Sequence, residues 1–283
     1  MSSHTSPIAS AFPVPSAWRW PCVGLLLLLS ASCAISRQQE QQMGADYSTQ
    51  IAQQLPLLTD AAVVRYITAL GNSLAKVTDT QGLTWHFTVV NSREVNAFAV
   101  PGGWVYVNRG LIEQASTMSE LAGVLAHEIG HITQRHTVEQ MQQAQGANVG
   151  VTLLCTLTKV CDSGTGQTAI NVGGSALFAK FSRTDEAEAD AEAVKTTVRA
   201  GISPTGIPDM FRSLLDARKG NPSALDAFFA THPLEESRIS ATEALIKAYP
   251  ASQLRGLTTD TRAFQTFQRR LLALPPPPAP KKP

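Results

Sequence analysis

His127, Glu128 and His131 stand in the order His-Glu-x-x-His inside the apolar stretch "GVLAHEIGHITQRH", residues 123–136. On an α-helix, residues four apart project from one face, so His127 and His131 can reach a single ion together. Glu128 is turned by about 100° from His127 and sits beside that ion, not on it. These are the groups a hydrolytic zinc site needs. The imidazoles hold Zn2+, the ion lowers the pKa of a water to about 7, and the carboxylate takes that water's proton. Histidine and glutamate buried on an apolar helix also need partners, which argues against three unrelated polar residues. Gly130, between the ligands, lets another backbone come close to the helix. His136 lies five residues past His131, off the ligand face, and reads as a helix-end or supporting group. His86, on an expected strand, carries no assigned role.

A catalytic zinc site takes a third protein ligand and keeps one position open. "SRTDEAEAD", residues 182–190, with Glu192 just after, offers Asp185, Glu186, Glu188, Asp190 and Glu192. Glu186 and Asp190 share a helix face, so one can bind zinc while the other holds a ligand imidazole. Glu188 and Glu192 have the same spacing on the opposite face. Spacing alone leaves both pairings open.

The elements that must position these groups are mostly helical. "DAAVVRYITALGNSLAKV", residues 60–77, has apolar residues at helical spacing with Asp60 as N-cap. "LTWHFTVV" (83–90) reads as a strand. Residues 95–100 and 104–108 read as two more, joined by Pro101-Gly102-Gly103. One long helix over 117–145 carries the histidines. Further helices are expected over 184–200 and near 205–217, 233–248 and 260–274. The fold class is mostly α with a small β-sheet (α+β), one domain over about 59–250 followed by a C-terminal helix in 251–274. "PPPPAPKKP" ends the chain as a Pro-rich solvated tail, residues 275–283.

Composition narrows the function classes. With 283 residues, 43% hydrophobic and 16% charged, the chain can build a full core. A net charge of +1 and 6% aromatics give neither a basic patch nor stacking platforms, so no nucleic-acid partner is expected. Residues 22–29, "CVGLLLLL", preceded by Arg19, are too short for a bilayer span and fit the apolar part of an export signal, residues 1–33. "LSASC" then ends on Cys33 as a lipobox does, with Ser30 where Leu is usual; ordinary cleavage near Ala34 is the alternative. Lipidation at Cys33 would tether the protein by its N-terminus, and Ala34 and Ile35 include no Asp that would favour inner-membrane retention. Residues 34–58 read as a polar tether running into a helix. In an oxidising compartment Cys155 and Cys161 can close a small disulfide loop; two free thiols are the alternative.

Four segments in order, "NAFAVPGGWVYVNRGLI", "ELAGVLAHEIGHITQRH", "FSRTDEAEAD" and "THPLEESRI", resemble the zinc metallopeptidase (gluzincin) family that contains the CAAX prenyl proteases and the HtpX heat-shock proteases. The match runs from about residue 44 to 248. The resemblance implies a zincin-like core with the motif on a central helix, and one Zn2+ held by His127, His131 and Glu186. It makes Glu128 the catalytic base and Asp190 the acidic residue after the third ligand. The multiple membrane spans of those relatives and a tetratricopeptide-like extension are missing, so the chain looks like a short, soluble cell-envelope lipoprotein branch. Peptide-bond hydrolysis of misfolded or stalled envelope proteins is what it implies; the residues after Cys33 add the periplasmic side of the outer membrane as the expected location. A periplasmic chaperone or assembly scaffold is the rival reading, and Glu128, dispensable for holding zinc, speaks against it.

Two further expectations follow from that chemistry. Proteases of this class bind substrate as an added strand, which makes Asn96, Ala97, Phe98, Ala99 and Val100 the candidate edge, or else a plain structural hairpin. In "THPLEESRI", Pro233 fits the first residue of a helix, which puts His232 at the N-cap beside its positive dipole end. There it could donate to the oxyanion of the transition state or close the zinc's open position, with Arg238 bracing the segment.

Overall fold

The computed structural model describes residues 35–79, 81–146 and 180–278. The expectations for the export signal, for Cys33 and for the Cys155–Cys161 pair lie outside the described residues. Where a polar tether running into a helix was expected, the chain forms α1 (Arg37–Gln54). It starts on a capping box in which Ser36 and Gln39 bond each other's backbone N–H reciprocally. Tyr47 and Ile51 bury the same face of α1 against Val90, Phe98, Val100 and Tyr106 of the sheet. Asp60 caps α2 (Ala61–Thr78) by accepting from the Ala62 and Val63 N–H groups at 3.1 Å each, as its spacing indicated. The buried stripe Val63, Ile67, Leu70 and Leu74 follows the helical period.

Three strands follow: β1 (His86–Val90), β2 (Ala97–Val100) and β3 (Trp104–Asn108). The sheet order is β1-β3-β2, with β1 parallel and β2 antiparallel to β3. Gly102 and Gly103 turn the β2–β3 corner at φ 82° and 102°. A Cβ on Gly103 would meet the Thr84 carbonyl oxygen at 2.4 Å, so the corner needs glycine twice over. Alternation splits the sheet. Val105 and Val107 join the main core, while Tyr106 and Phe98 face α1.

After the short α3 (Arg109–Gln114), Thr117 caps α4 (Met118–Thr133) by accepting from the Glu120 N–H. Every residue of α4 from Met118 to Ile132 is buried, which makes it the central helix. The single helix expected over 117–145 is in fact two, α4 and α5 (His136–Gly146). Arg135 breaks it at φ 65°, the left-handed region that a side chain rarely adopts. Its guanidinium offsets that cost, donating to Glu40 Oε2 at 2.9 Å and to the Ile35 carbonyl at 2.6 Å. No Gly or Pro marks the break.

The remaining elements are α6 (Arg183–Arg199), α7 (Gly206–Gly220), a 3-10 turn at Pro222–Ala224, α8 (Asp226–Thr231), α9 (Glu236–Lys247), α10 (Ala251–Leu254) and α11 (Arg262–Leu272). One core joins the apolar faces of α2, α4, α7 and α11 to the sheet, with Leu121, Leu125, Ile129, Met210, Leu214 and Phe264 fully buried. Truncating such a leucine costs about 2–5 kcal/mol. The architecture is a mostly helical α+β core with its small sheet on one side of α4. Among the described residues, no helix is long and apolar enough to cross a membrane.

Candidate metal centre

Four elements converge on one buried point. Helix α4 supplies His127, Glu128 and His131, α6 supplies Glu186 and Asp190, the end of α8 supplies His232, and α9 supplies Arg238. Helices α4 and α6 meet closely because Gly130 has no side chain: a Cβ there would stand 3.2 Å from both Cα and O of Ala189. That is the close approach between His127 and His131 which the sequence allowed.

One atom each from His127, His131, Glu186 and His232 lies within 4.8 Å of the other three. His127 Nε2 is 3.0 Å from His131 Nε2 and 3.4 Å from His232 Nδ1. Glu186 places Oε2 3.5 Å from His127 Nε2, and Oε1 3.6 Å from His131 Nε2 and 3.0 Å from His232 Nδ1. Four ligands around a tetrahedral zinc at 2.0–2.1 Å stand about 3.3 Å apart from one another. The observed spacings bracket that value, and three imidazoles with a carboxylate are a normal zinc donor set. The residues fit the ion.

The neighbours hold the donors in place. His127 Nδ1 is 2.9 Å from Asp190 Oδ1, which leaves Nε2 for the centre. Arg238 grips Asp190 through Nε at 2.8 Å and a terminal N–H at 2.7 Å, and its other terminal nitrogen contacts Glu186. The Phe181 ring stacks on His131 with centroids 3.9 Å apart, and His131 Nδ1 meets His136 Nδ1 at 2.8 Å. Glu128 Oε1 lies 3.5 Å from His232 Nε2 and is buried with no hydrogen-bond partner.

Electrostatics favour a cation here. Burial opposes charge on His127, but Asp190 and Glu186 outweigh it and hold its pKa up at about 9. Glu186 and Asp190 stay well below the usual carboxylate range against their own burial, Glu186 through the three histidines and Asp190 through His127 and Arg238. Burial, with His127 and His232 alongside, pushes His131 well down, so it offers a free lone pair. Burial raises Glu128.

Several expected residues land elsewhere, or by another route. His232 is not the N-cap of a helix starting at Pro233. It closes α8 as its C-cap, and α9 begins only at Glu236 with Glu235 as N-cap. The dipole argument for His232 therefore falls, although its ring reaches the centre. Of the two carboxylate pairings, Glu186 and Asp190 face the histidines. Glu188 instead lies 3.3 Å from His136 Nε2 with its side chain 55% exposed, and Glu192 pairs with Lys195. Residues Ala97–Val100 form β2, at the edge of the described sheet but with all four residues buried, and Asn96 precedes the strand. His86 stacks on Trp104, among the sheet residues. Sequence reasoning missed the contact of Phe181 with His131, and it offered His136 as a helix-end or supporting group without naming His131 as its partner. Only the break at Arg135 turns His136 back toward His131.

Comparison with known proteins fits this geometry. Residues 61–246 match peptidase family M48, a segment containing all seven residues of the centre. The chain is 34% identical over 217 residues to the beta-barrel assembly-enhancing protease of Yersinia pestis, covering 75% of this chain and 44% of that one. It is 30% identical over 170 residues to the metalloprotease LoiP of Escherichia coli (strain K12), covering 60% of this chain and 64% of that one. To the mitochondrial metalloendopeptidase OMA1 of Schizosaccharomyces pombe it is 28% identical over 195 residues, 69% of this chain and 56% of that one. The chain thus spans less than half the length of the beta-barrel assembly-enhancing protease it matches. By the family match over most of its folded length, and by a centre whose donors suit the family's zinc, this chain belongs to peptidase family M48.

Proposed function

We propose that this chain is a zinc-dependent endopeptidase that cuts unfolded or misassembled polypeptides of the bacterial cell envelope. Glu128 carries the reading: a buried carboxylate beside the donor cluster, outside the set that fits the ion, with one oxygen unpartnered. A site that only stored metal has no use for it. His127, His131 and Glu186 would hold the ion, with Asp190 and Arg238 fixing the donors. Zinc, when bound, supplies the Lewis acidity that brings a water's pKa to about 7.

Glu128 takes the proton from the attacking water and hands it to the leaving nitrogen. Burial raises its pKa while His232 and His127 work against the rise, and a raised pKa favours a carboxylate that must accept a proton as well as release it. His232 occupies the fourth donor position in this arrangement, where the substrate carbonyl has to enter. It lies 3.5 Å from Glu128 there and must withdraw from that position for turnover, after which its ring could donate to the developing oxyanion. The resting protein is on this account latent. Strand β2, the sheet edge, would pair with the extended substrate backbone.

The envelope assignment rests on the export-signal and lipobox pattern ending at Cys33, and on the names of two bacterial relatives, one of them a beta-barrel assembly-enhancing protease. The protein would then sit on the periplasmic side, tethered through its N-terminus. The test is Glu128→Gln, which should keep about one zinc per chain and lose cleavage of casein. Equal cleavage by both proteins would overturn the enzyme reading in favour of a scaffold.

A further inference from the structure

We infer that His136, itself oriented by Glu188, is a positioning residue that fixes the ring of His131 for metal binding. The inference rests on the reading of His131 as a zinc ligand. A metal-bound imidazole performs best when its second nitrogen is held by a partner that sets the tautomer and the ring plane. His127 has such a partner in Asp190. His131 has no carboxylate there: its Nδ1 points at His136 Nδ1, 2.8 Å away, and both rings are buried.

Proton bookkeeping on that contact leaves one arrangement. With Nε2 of His131 toward the donor cluster, its proton resides on Nδ1 and is donated to the lone pair of His136 Nδ1. His136 then carries its own proton on Nε2, where Glu188 Oε2 stands 3.3 Å away to accept it. The chain of contacts runs His131, His136, Glu188, from the buried centre to a carboxylate whose side chain is 55% exposed. Phe181, stacked on the face of His131, restrains the ring's tilt while His136 restrains its rotation. Backbone geometry serves the same end. Were the helix unbroken past Thr133, His136 would lie off the ligand face; the left-handed turn at Arg135 returns it.

The position of the accepting atom makes the test sharp. In His136→Asn, the Asn Oδ1 is attached to Cγ as Nδ1 is, so it can accept from His131. In His136→Gln the oxygen is one bond too far, and in His136→Leu there is none. Zinc affinity is read by chelator competition, and the visible spectrum of the cobalt(II)-substituted protein is read beside it. His136→Leu and His136→Gln should weaken affinity roughly 10- to 100-fold, the usual effect of losing such a partner, and shift the cobalt bands. His136→Asn should recover most of the affinity and the wild-type bands. Glu188→Ala, on the surface and harmless to folding, should still load zinc but weaken it in the same direction by a smaller factor, and this arm stands even if the leucine variant does not fold. Unchanged affinity in both His136→Leu and Glu188→Ala, or rescue by Gln equal to that by Asn, would overturn the inference. His131→Ala in parallel separates the two readings. Zinc retained there would remove His131 from the ligand set, whereas zinc lost there but held normally by His136→Leu would remove only the positioning role.

Discussion

Removing Arg238 tests the electrostatic frame of the centre. Its side chain is 12% exposed, and its guanidinium contacts two carboxylates, Glu186 and Asp190, whose side chains are 2% and 5% exposed. In Arg238→Ala both stay buried, with only the neighbouring histidines left to oppose them. Breaking a buried ion pair from one side costs about 3–5 kcal/mol, because the orphaned charge remains in a poor solvent for it. For a domain of this size each kcal/mol moves Tm by roughly 2–4 °C, so the metal-free variant should melt about 6–20 °C below wild type. Bound zinc replaces much of the missing positive charge, so the gap should narrow when the ion is added. Arg238→Lys should recover only part of the loss, since an ammonium cannot reproduce the two-pronged grip on Asp190. Differential scanning calorimetry with and without zinc reads all of this. A metal-free Arg238→Ala melting within about 2 °C of wild type, well below the range above, would refute the argument.

Other expectations follow from the same geometry. Gly130→Ala puts a methyl 3.2 Å from the Ala189 backbone, so α4 and α6 must part by a few tenths of an ångström. The gain in helix propensity of about 1 kcal/mol offsets part of the strain, so the net loss in urea melts should be about 0–2 kcal/mol, with zinc affinity falling more than stability does. For pH, His127 has a raised pKa of about 9, so its ion pairs stabilise the metal-free protein fully below about 6.5 and are lost as pH rises through 9. Zinc must displace that proton, so its affinity should climb between those values and binding should release close to one proton, measured by calorimetry in buffers of different ionisation enthalpy. An affinity flat over that range would contradict the assignment. Mass spectrometry of the mature protein should find a lipid on Cys33; an unmodified N-terminus starting beyond it would contradict the tether.

The sequence carried the centre further than the chain path around it. His127 and His131 declare themselves by four-residue spacing in an apolar helix, and Glu186 and Asp190 share a face for the same reason. Helical periodicity alone could not choose between that pair and Glu188 with Glu192, because the choice depends on which face of α6 meets α4, and this is set by the close contact of Gly130 with Ala189. The break at Arg135 left no local signal. Its left-handed backbone is held by contacts to Glu40 and Ile35, about a hundred residues earlier in the chain. At His232 the signal misled. Pro233 suits a helix start, yet the chain runs on through Leu234 before Glu235 caps α9, and the short α8 that carries His232 has too few residues to show a period. The start of helix α1 was blurred into a tether because its residues are mostly polar and only a few, with Tyr47 and Ile51 buried, pack it against the sheet.

The claim on which the rest depends is that His127, His131 and Glu186 hold the zinc. Metal content of purified Glu186→Ala and Glu188→Ala, measured side by side by inductively coupled plasma mass spectrometry, tests it most directly. Both residues lie on α6 and both are glutamates, so the comparison isolates position. Glu186→Ala should lose most of its zinc and all cleavage of casein, while Glu188→Ala keeps close to one zinc per chain. Zinc kept by Glu186→Ala and lost from Glu188→Ala would contradict the account.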